Sequence, residues 1–503
     1  MTKNIKMLFL VSLTFIACSK NVDDEVVDIP VTAGTANFAK YVALGNSLTA
    51  GFSDGTLFKK GQEGSYTAIM AQQFALVGGG TFRIPFMADD NRGGFSSGGN
   101  QVPGFPTRLF FNGAGPAPVS GVSGTLITDK LTGQFNNMGV PGAKSFHLLA
   151  PGYGNLAGVF ANPPTANPYF ARFSSGPTAS VIGDAMAQAP TFFSLWIGNN
   201  DVLGYATSGG DGSNPITPIA GPAGVGFDAS YTALVNALTA NGAKGVIANL
   251  PYVTSIPFFT TVPTNPIPAL PAANAAQLNQ LFGGINSALA ANQLPARFVT
   301  LSTTRVNPLL IRDKSLPNIA AAITAALTPQ LGAPTATFLG GLLGQARHSI
   351  NAASGRDFIL LTTRGIIGTI QPNAPAPFNT VGVSFPLQDG AVLTISEVLE
   401  LRTATDAFNM TIKGLATSKG LAFVDANATL NQVATSGISF GNYHITSSYI
   451  TGGAFSMDGV HPSPRGYALI ANKFTEAINM RYGSTFKPVD IGKYNIQFPE
   501  IIQ

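Results

Sequence analysis

Short apolar runs that stop at glycine or polar residues recur along the chain and predict buried strands. A fully buried strand reads as a short, continuous apolar segment, and such segments end here at turn-forming residues. The runs cover residues 41–44, 190–197, 245–251 and 422–425, and a further short strand is predicted to end near Asn137. Helical patterns are predicted over residues 66–75, 231–240, 272–281, 395–413 and 465–480.

The alternation of strands and helices favours one parallel sheet with helices on its faces. In open sheets of this kind, ligands bind outside the carboxyl ends of the strands. Three positions follow predicted strands directly, and they are Ser47, Gly142 and Asn200. We therefore expect these three residues to lie along one edge of one sheet.

Two long segments interrupt this pattern and are predicted to be insertions. Residues 52–130 are rich in Gly, Pro, Ser and Asn around the helix predicted over residues 66–75. Residues 257–394 are rich in Ala, Pro, Asn and Thr and contain few charges. The second insertion is expected to be either a lid that shapes a substrate pocket or an outer layer without that role. Substrate choice is predicted to reside in the two insertions.

The first 18 residues predict a lipoprotein signal peptide. The apolar run over residues 7–17 is too short for a membrane-spanning helix and ends at Cys18, the only cysteine. Cys18 is the predicted lipid attachment site, and the alternative is an ordinary secretory signal with a chance cysteine. Residues 19–37 are predicted to be a flexible tether. We expect anchoring to the outer membrane of a bacterial cell envelope, and the acidic run over residues 20–28 favours surface exposure.

Composition narrows the classes of partner. Charged residues make up 10% of the 503 residues, whereas roughly 25% is usual, and 45% of the chain is apolar. The formal net charge of +4 comes without a basic cluster, so no nucleic-acid partner is predicted. No later segment is long and apolar enough for a membrane helix. An uncharged exterior of this kind indicates neutral partners such as lipids, esters or glycans.

Ser47 is the candidate nucleophile, because the strand over residues 41–44 is broken by Gly45 and delivers Ser47 to a turn. A serine hydroxyl is a weak nucleophile unless a base lies beside it. Among the four histidines, only His461 has a carboxylate three residues before it, which is Asp458. On a tight turn, Asp458 can hold one imidazole nitrogen and leave the other for a serine proton. The alternatives are a polar strand end at Ser47 and a structural Asp–His turn that caps the last helix.

The remaining histidines show no spacing typical of a metal site, so no metal or other cofactor is predicted. His147 and His444 either line the pocket or lie in the core or at the surface, and the second role is favoured. Trp196, the only tryptophan, lies just before a predicted strand end and is expected in the core rather than in a binding site.

Four ordered blocks of sequence resemble the SGNH hydrolases, also called the GDSL family of esterases and lipases. The blocks that carry the resemblance are residues 45–51, 137–145, 198–201 and 458–461. The resemblance implies a three-layer α/β/α sandwich with a mainly parallel central sheet. This domain would span residues 38–483, include both insertions and leave residues 484–503 as a C-terminal tail. The blocks and their strands cover well under half of the chain.

The resemblance also implies roles for the matching residues. Ser47 would attack an ester carbonyl, His461 would take the serine proton, and Asp458 would orient His461. The backbone N–H groups of Ser47 and Gly142 and the side-chain amide of Asn200 would bind the oxyanion. Each such donor is typically worth about 2.7–4 kcal/mol in the transition state.

The sequence therefore predicts a serine ester hydrolase that acts on an acyl lipid or an acetylated glycan. Asn46 departs from the family, which usually has Asp there, but this residue supports the turn, so we expect activity to be retained. Two other classes stay open. One is a non-catalytic surface binding lipoprotein on the same fold, and the other is an acyltransferase.

Overall fold

The structure is a computed structural model that describes residues 30–88 and 91–502. The predicted signal peptide, the lipid attachment site at Cys18 and the tether up to residue 29 lie outside the described residues. From Val31 onward the described chain forms one compact unit.

A five-stranded parallel sheet forms the centre of this unit. Its strands are β1 (Tyr41–Gly45), β2 (Asn137–Gly139), β3 (Phe192–Trp196), β4 (Lys244–Ala248) and β5 (Ala422–Val424). Their order in the sheet is β5-β4-β3-β1-β2, and every neighbouring pair is parallel. The predicted α/β class with a parallel sheet is therefore confirmed.

The second strand differs from its prediction, since it begins at Asn137 rather than ending near it. Asn137 is buried, and its side-chain amide donates to the Thr49 carbonyl at 2.9 Å and to the Thr67 hydroxyl at 3.1 Å. A polar residue can occupy a buried strand when its hydrogen bonds are satisfied in this way. The sequence prediction placed the end of the strand at Asn137 because this residue is polar, and that position is wrong.

Ten helices are used in the description that follows. They are α1 (Ser47–Ala50), α2 (Tyr66–Ala75), α3 (Asn200–Thr207), α4 (Phe227–Thr239), α5 (Ala272–Ala291), α6 (Ala320–Leu331), α7 (Ala333–Leu343), α8 (Ile395–Lys419), α9 (Ala426–Thr435) and α10 (Pro464–Tyr482). The five predicted helices correspond to α2, α4, α5, α8 and α10, and the last four extend beyond the predicted ranges at one end or both. Further helical turns cover Lys59–Glu63, Ser145–Leu149, Leu156–Val159, Pro168–Ala171, Val181–Met186, Val253–Ser255, Pro257–Thr260, Leu361–Thr363, Asp389–Ala391 and Ile491–Lys493.

Aromatic side chains join the helices to the sheet in two groups. Tyr66 of α2 packs on Phe474 of α10 with ring centroids 4.8 Å apart, and both rings contact Trp196 of β3. Phe227 of α4 stacks on Phe408 of α8 at 3.9 Å. Every residue of β1 and β3 is buried, as the continuous apolar runs predict.

The strand order reverses at β1, which places the candidate site. From β1 the chain goes first to β2 on one side and then to β3 on the other side. Ligand sites of open parallel sheets lie at such a reversal, outside the carboxyl ends of the strands. Ser47 follows β1 and Asn200 follows β3, so the expectation that they share one sheet edge is confirmed.

The first insertion folds around a small core of its own. The core combines buried apolar residues of residues 52–130 with Ala50 and Tyr169. Two short hairpins lie in the insertion, and they pair Ser96–Ser97 with Asn100–Gln101 and Leu109–Phe111 with Pro116–Pro118. The predicted loop-rich segment is therefore an ordered layer.

The second insertion has two further apolar cores, and α5, α6 and α7 supply most of one of them. Its strands are Leu310–Arg312 with Ala346–His348, Asn351–Ala352 with Gly355–Arg356, and Phe358–Ile359 with Val392–Leu393. Another short hairpin, Ile438–Phe440 with Tyr443–Ile445, follows α9.

Both ends of the described chain belong to the fold. Thr32 N–H donates to the Thr485 hydroxyl at 2.8 Å, and Thr35 N–H donates to the Tyr482 carbonyl at 2.8 Å. Phe486 and Ile491 are buried in the main core. Residues 31–37 of the predicted tether and residues 484–502 of the predicted C-terminal tail therefore both contact the fold. Within residues 30–88 and 91–502, no helix has the length and apolarity needed to cross a bilayer.

Replacing Arg347 with Ala is expected to destabilise the second insertion. The Arg347 guanidinium donates to Asp313 at 2.7 Å and to Asp357 at 2.6 and 2.7 Å, and all three side chains are buried. Removing the cation leaves two buried carboxylates without it, which typically costs about 3–5 kcal/mol. Urea unfolding followed by circular dichroism measures the loss. Arg305→Ala, at an exposed position of the same insertion, is the control; equal midpoints for the two variants would contradict a structural role for Arg347.

Candidate active site

Ser47 is held at the start of a helix that packs directly on the sheet. Gly45 ends β1, Asn46 caps α1, and Ser47 is the first residue of that helix. A Cβ atom on Gly45 would lie 2.1 Å from Thr49 Oγ1 and 2.4 Å from the Trp196 carbonyl oxygen. Only glycine therefore fits where α1 meets the strand end, which explains the Gly-Asn-Ser order at this turn.

The Asn46 side chain uses both ends of its amide. Its Oδ1 accepts from Leu48 N–H at 3.0 Å, and its Nδ2 donates to Asn199 Oδ1 at 3.2 Å. A carboxylate at this position could accept the first hydrogen bond but could not donate the second. Asn46 thus ties the turn after β1 to the turn after β3, in keeping with the supporting role expected from the sequence.

His461 lies between Ser47 and Asp458. Its Nε2 is 2.9 Å from Ser47 Oγ, and its Nδ1 is 2.7 Å from Asp458 Oδ2. An ionised carboxylate can only accept, so Nδ1 carries the proton and Nε2 is left to accept from the serine hydroxyl. The structure therefore brings together the three residues that the sequence singled out.

Asp458 accepts hydrogen bonds on both of its oxygens. Besides His461 Nδ1, the donors are the backbone N–H groups of Gly55, Val460 and His461 and the hydroxyl of Ser456, at 2.9–3.1 Å. Burial acts to raise the pKa of Asp458, but the charge of His461 and the hydrogen bonds to the carboxylate outweigh it and hold the pKa below its ordinary value. Asp458 is thus kept ionised and fixed in direction.

The segment directly after α1 supports the histidine turn, which the sequence did not predict. The Phe52 ring lies 4.5 Å from the His461 ring, and Ser53 Oγ donates to the Pro462 carbonyl at 3.1 Å. Gly55 N–H donates to Asp458 Oδ2 at 3.1 Å. These residues open the glycine-rich first insertion, and their position next to the serine block was the one signal that could have identified them.

Asp54 is a buried carboxyl group beside this turn. Its backbone adopts φ of +51°, its N–H donates to Ser456 Oγ at 2.9 Å, and its Oδ1 accepts from Met457 N–H at 2.9 Å. Burial raises the pKa of Asp54 to about 7, and the neighbouring charge of Asp458 acts in the same direction. Ser456 Oγ also donates to Asp458, so Asp54 contacts the acid of the site through one intervening residue.

Three donors suitable for an oxyanion lie at the same sheet edge. Within the described residues, neither the Ser47 N–H nor the Gly142 N–H donates a hydrogen bond. Gly142 has φ of +79°, a conformation that favours glycine. Asn200 Nδ2 donates one hydrogen to the Ala143 carbonyl at 2.9 Å, which leaves its second hydrogen for a ligand.

Asp201 holds the glycine turn in place. Its carboxylate accepts from Ser145 N–H at 2.8 Å and from Ser145 Oγ at 2.7 Å, and its side chain is fully buried. Burial raises the pKa of Asp201 to about 6, and the hydrogen bonds from Ser145 oppose that rise. The start of α3 therefore fixes the loop that carries Gly142.

A largely apolar cavity begins beside Ser47. Ser47, Asn200 and His461 lie on its wall, and so does Trp196. Trp196 is also a core residue, since it is 4% exposed and its ring N–H donates to the Asn249 carbonyl at 3.0 Å. Among the residues that the structure describes, no lining residue comes from the ranges 52–130 and 257–394.

The second insertion contacts the back of the histidine turn instead of the cavity. Phe258 N–H donates to the Gly459 carbonyl at 2.9 Å. A Cβ on Gly459 would lie 3.1 Å from Leu361 Cδ2. Among the residues that the structure describes, the insertion therefore supplies no side chain to the cavity wall and contacts the Asp458–His461 turn from outside.

The other histidines lie away from this cavity. His147 Nδ1 accepts from Lys144 N–H at 3.1 Å, and burial together with Lys144 lowers the His147 pKa to about 4. His348 packs on Phe282 and Phe298 in the second insertion, and His444 lies on an exposed hairpin strand. Among the residues that the structure describes, no cluster of His, Cys, Asp and Glu could hold a metal ion.

The free energy of unfolding of the wild type is expected to fall between pH 4 and pH 7 because of Asp54. The Asp54→Asn variant is expected to show a smaller fall. The folded protein binds a proton at Asp54 up to about pH 7, whereas the unfolded chain releases it near 3.8. Stability must therefore fall as the pH rises through this window, because the folded state holds more protons there. A neutral amide does not titrate, so it removes this pH dependence. The melting temperature of the variant minus that of the wild type should therefore be larger at pH 8 than at pH 4.

Asp425→Asn is the matched control for this measurement. Asp425 is exposed and caps α9 by accepting from Ala428 N–H, a role that Asn performs equally well. Its melting temperature should follow the wild type at both pH values. If Asp54→Asn also followed the wild type, a carboxyl group that resists ionisation at position 54 would be ruled out.

Comparison with known proteins identified no relative of this chain. No family model, curated protein or solved structure matches the chain. What the site does is therefore inferred from its side chains and from the four sequence blocks.

Proposed function

We propose that this chain is a serine ester hydrolase. The observation that carries the proposal is the position of His461, within hydrogen-bond distance of Ser47 Oγ on one side and Asp458 on the other. A nucleophile, a base and an acid that orients the base form the arrangement used for acyl transfer by activated serine. A purely structural Asp–His turn has no need of a serine held against its second nitrogen.

In the first half of the reaction, Ser47 becomes acylated. Ser47 Oγ attacks the ester carbonyl carbon while its proton passes to His461 Nε2. Asp458 accepts from Nδ1 and stabilises the imidazolium that forms, without taking the proton itself. The tetrahedral intermediate collapses when His461 returns the proton to the leaving alcohol, which leaves an acyl group on Ser47.

In the second half, water takes the place of the alcohol. His461 Nε2 removes a proton from water, the hydroxide attacks the acyl carbonyl, and Ser47 regains its proton as the carboxylic acid departs. In both halves a negative charge develops on the carbonyl oxygen. The free N–H groups of Ser47 and Gly142 and the remaining hydrogen of the Asn200 amide are the donors we assign to that oxygen.

We further propose that the chain is a member of the SGNH hydrolases with the three-layer α/β/α arrangement of that family. The parallel order β5-β4-β3-β1-β2 and the order of the four blocks along the chain support this assignment. Envelope anchoring through a lipid on Cys18 remains part of the proposal and depends on the sequence of the first 18 residues alone.

Ser47→Ala and His461→Ala are each expected to lower kcat for p-nitrophenyl acetate by at least about 10⁴-fold, because the nucleophile and its base act as one unit. Ser47→Ala should also abolish labelling by a fluorophosphonate probe. Steady-state kinetics and in-gel fluorescence measure the two effects. Ser436→Ala, which changes an exposed serine at the end of α9, should match the wild type in both assays.

The same assays distinguish the competing classes. If no ester is cut and no serine is labelled, the chain is a binding protein rather than a hydrolase. If an added alcohol receives the acyl group faster than water does, the chain is an acyltransferase that uses the same acyl-enzyme.

Asn200→Ala is expected to lower kcat for the same ester by about 10²–10³-fold with little change in KM. The reason is that an oxyanion donor acts mainly in the transition state. Asn236→Ala, at an exposed position of α4 where Ala is a good helix former, is the control. A raised KM with kcat unchanged would assign Asn200 to ground-state binding instead.

A further inference from the structure

The cavity beside Ser47 is polar at one end and apolar along the rest of its wall. The polar end carries Ser47, Asn199, Asn200 and His461. Beyond it, the wall is formed by apolar side chains of β5, α9 and α10 and of the segment after β4. We infer that this cavity binds a linear alkyl chain of the ester, with the ester group at Ser47. This inference depends on the proposed hydrolase function, because that function places an ester at the serine.

Polar side chains farther along the wall have their hydrogen bonds satisfied elsewhere. Thr429 Oγ1 donates to the Asp425 carbonyl at 2.9 Å, and Trp196 Nε1 donates to the Asn249 carbonyl at 3.0 Å. Lys473 pairs its ammonium with Glu476 at 2.9 Å, so its methylene stem is what faces the cavity. A sugar in this space would lose its hydrogen bonds to water without replacing them, whereas an alkyl chain has none to lose.

The lining residues give the length of the cavity. They include Ser47 after β1, Trp196 at the end of β3, Pro251 after β4 and Val424 at the end of β5. These four strands are successive neighbours, so the lining residues span three strand spacings, or about 14 Å, which is the upper limit for the length of the cavity. Lining residues of α10 run from Gly466 to Phe474, which corresponds to about 12 Å of helix rise.

This length corresponds to a chain of about ten to twelve carbons. An extended chain advances about 1.2 Å per bond, since a residue of three bonds spans at most about 3.6 Å. An acetyl group would leave nearly all of the cavity unused. The acetylated-glycan substrate that composition alone left open is therefore disfavoured against a medium- to long-chain ester.

The kinetic test compares p-nitrophenyl esters from acetyl to hexadecanoyl with straight-chain alkyl acetates. If the cavity holds the acyl chain, kcat/KM in the first series should rise about two- to fourfold per methylene up to ten to twelve carbons and then stop rising. If it holds the alcohol chain, the same rise appears in the second series instead. Ser47-dependent cleavage with no length dependence in either series would overturn the inference and leave the hydrolase function intact.

A cavity-filling variant distinguishes chain binding in the cavity from a general preference of the protein for apolar substrates. Thr429→Phe adds an aromatic ring at the wall, and it should lower the ratio of kcat/KM for the dodecanoyl ester over the acetyl ester by at least tenfold. Thr435→Phe is the matched control, because Thr435 lies on the same helix, makes the same hydroxyl bond to the carbonyl four residues before it, and does not line the cavity. Equal ratios for the two variants would contradict the inference.

A binding measurement tests the cavity even if no ester is turned over. Trp196 is the only tryptophan of the chain and lies on the cavity wall, so a bromine atom in the cavity should quench its fluorescence. In Ser47→Ala, 11-bromoundecanoic acid should quench saturably while undecanoic acid should not. Quenching that is absent, or that persists undiminished in Thr429→Phe, would overturn alkyl-chain binding independently of the fate of the hydrolase proposal.

Discussion

The hydrogen bonds to the Asp458 carboxylate are the constraint on which the rest of the site depends. They come from the first insertion at Gly55, from the turn itself at Ser456 and Val460, and from both the backbone and the ring of His461. Together they keep the carboxylate ionised despite burial and fix the imidazole tautomer. Without that tautomer, Nε2 would have no lone pair for the Ser47 proton.

Both insertions contact the turn that carries Asp458 and His461. Residues 52–55 contact it from the first insertion, and Phe258 and Leu361 contact it from the second. The cavity, in contrast, is lined among the described residues by the sheet edge, the helices that follow it, the segment after β4 and the inner side of the histidine turn. The described parts of the insertions therefore contact the turn that carries His461, whereas the central fold lines the cavity, and the expectation that substrate choice resides in the insertions stays a prediction.

Sequence reasoning succeeded where the physical signal is local. A continuous apolar run predicts β1 and β3, and the short Asp-x-x-His spacing predicts the contact of Asp458 with His461. It failed where the signal is spread out. Asp54 sits in a glycine-rich stretch without periodicity, and its role depends on Met457, which is 403 residues away. The cavity was likewise invisible, because each lining residue such as Val433 or Ile470 reads as ordinary helix core until the elements are assembled.

The distance between Ser47 and His461 along the chain has a consequence for the timing of the proposed activity. The two residues meet across 414 positions, and His461 precedes α10, the last long helix. At about 5–20 residues per second, synthesis of the intervening chain takes roughly 20 to 80 s. Throughout that interval the nascent chain carries a serine without a base. A growing polypeptide thus holds Ser47 without the imidazole that contacts it, and the proposed activity would begin only when the last segment docks on the sheet.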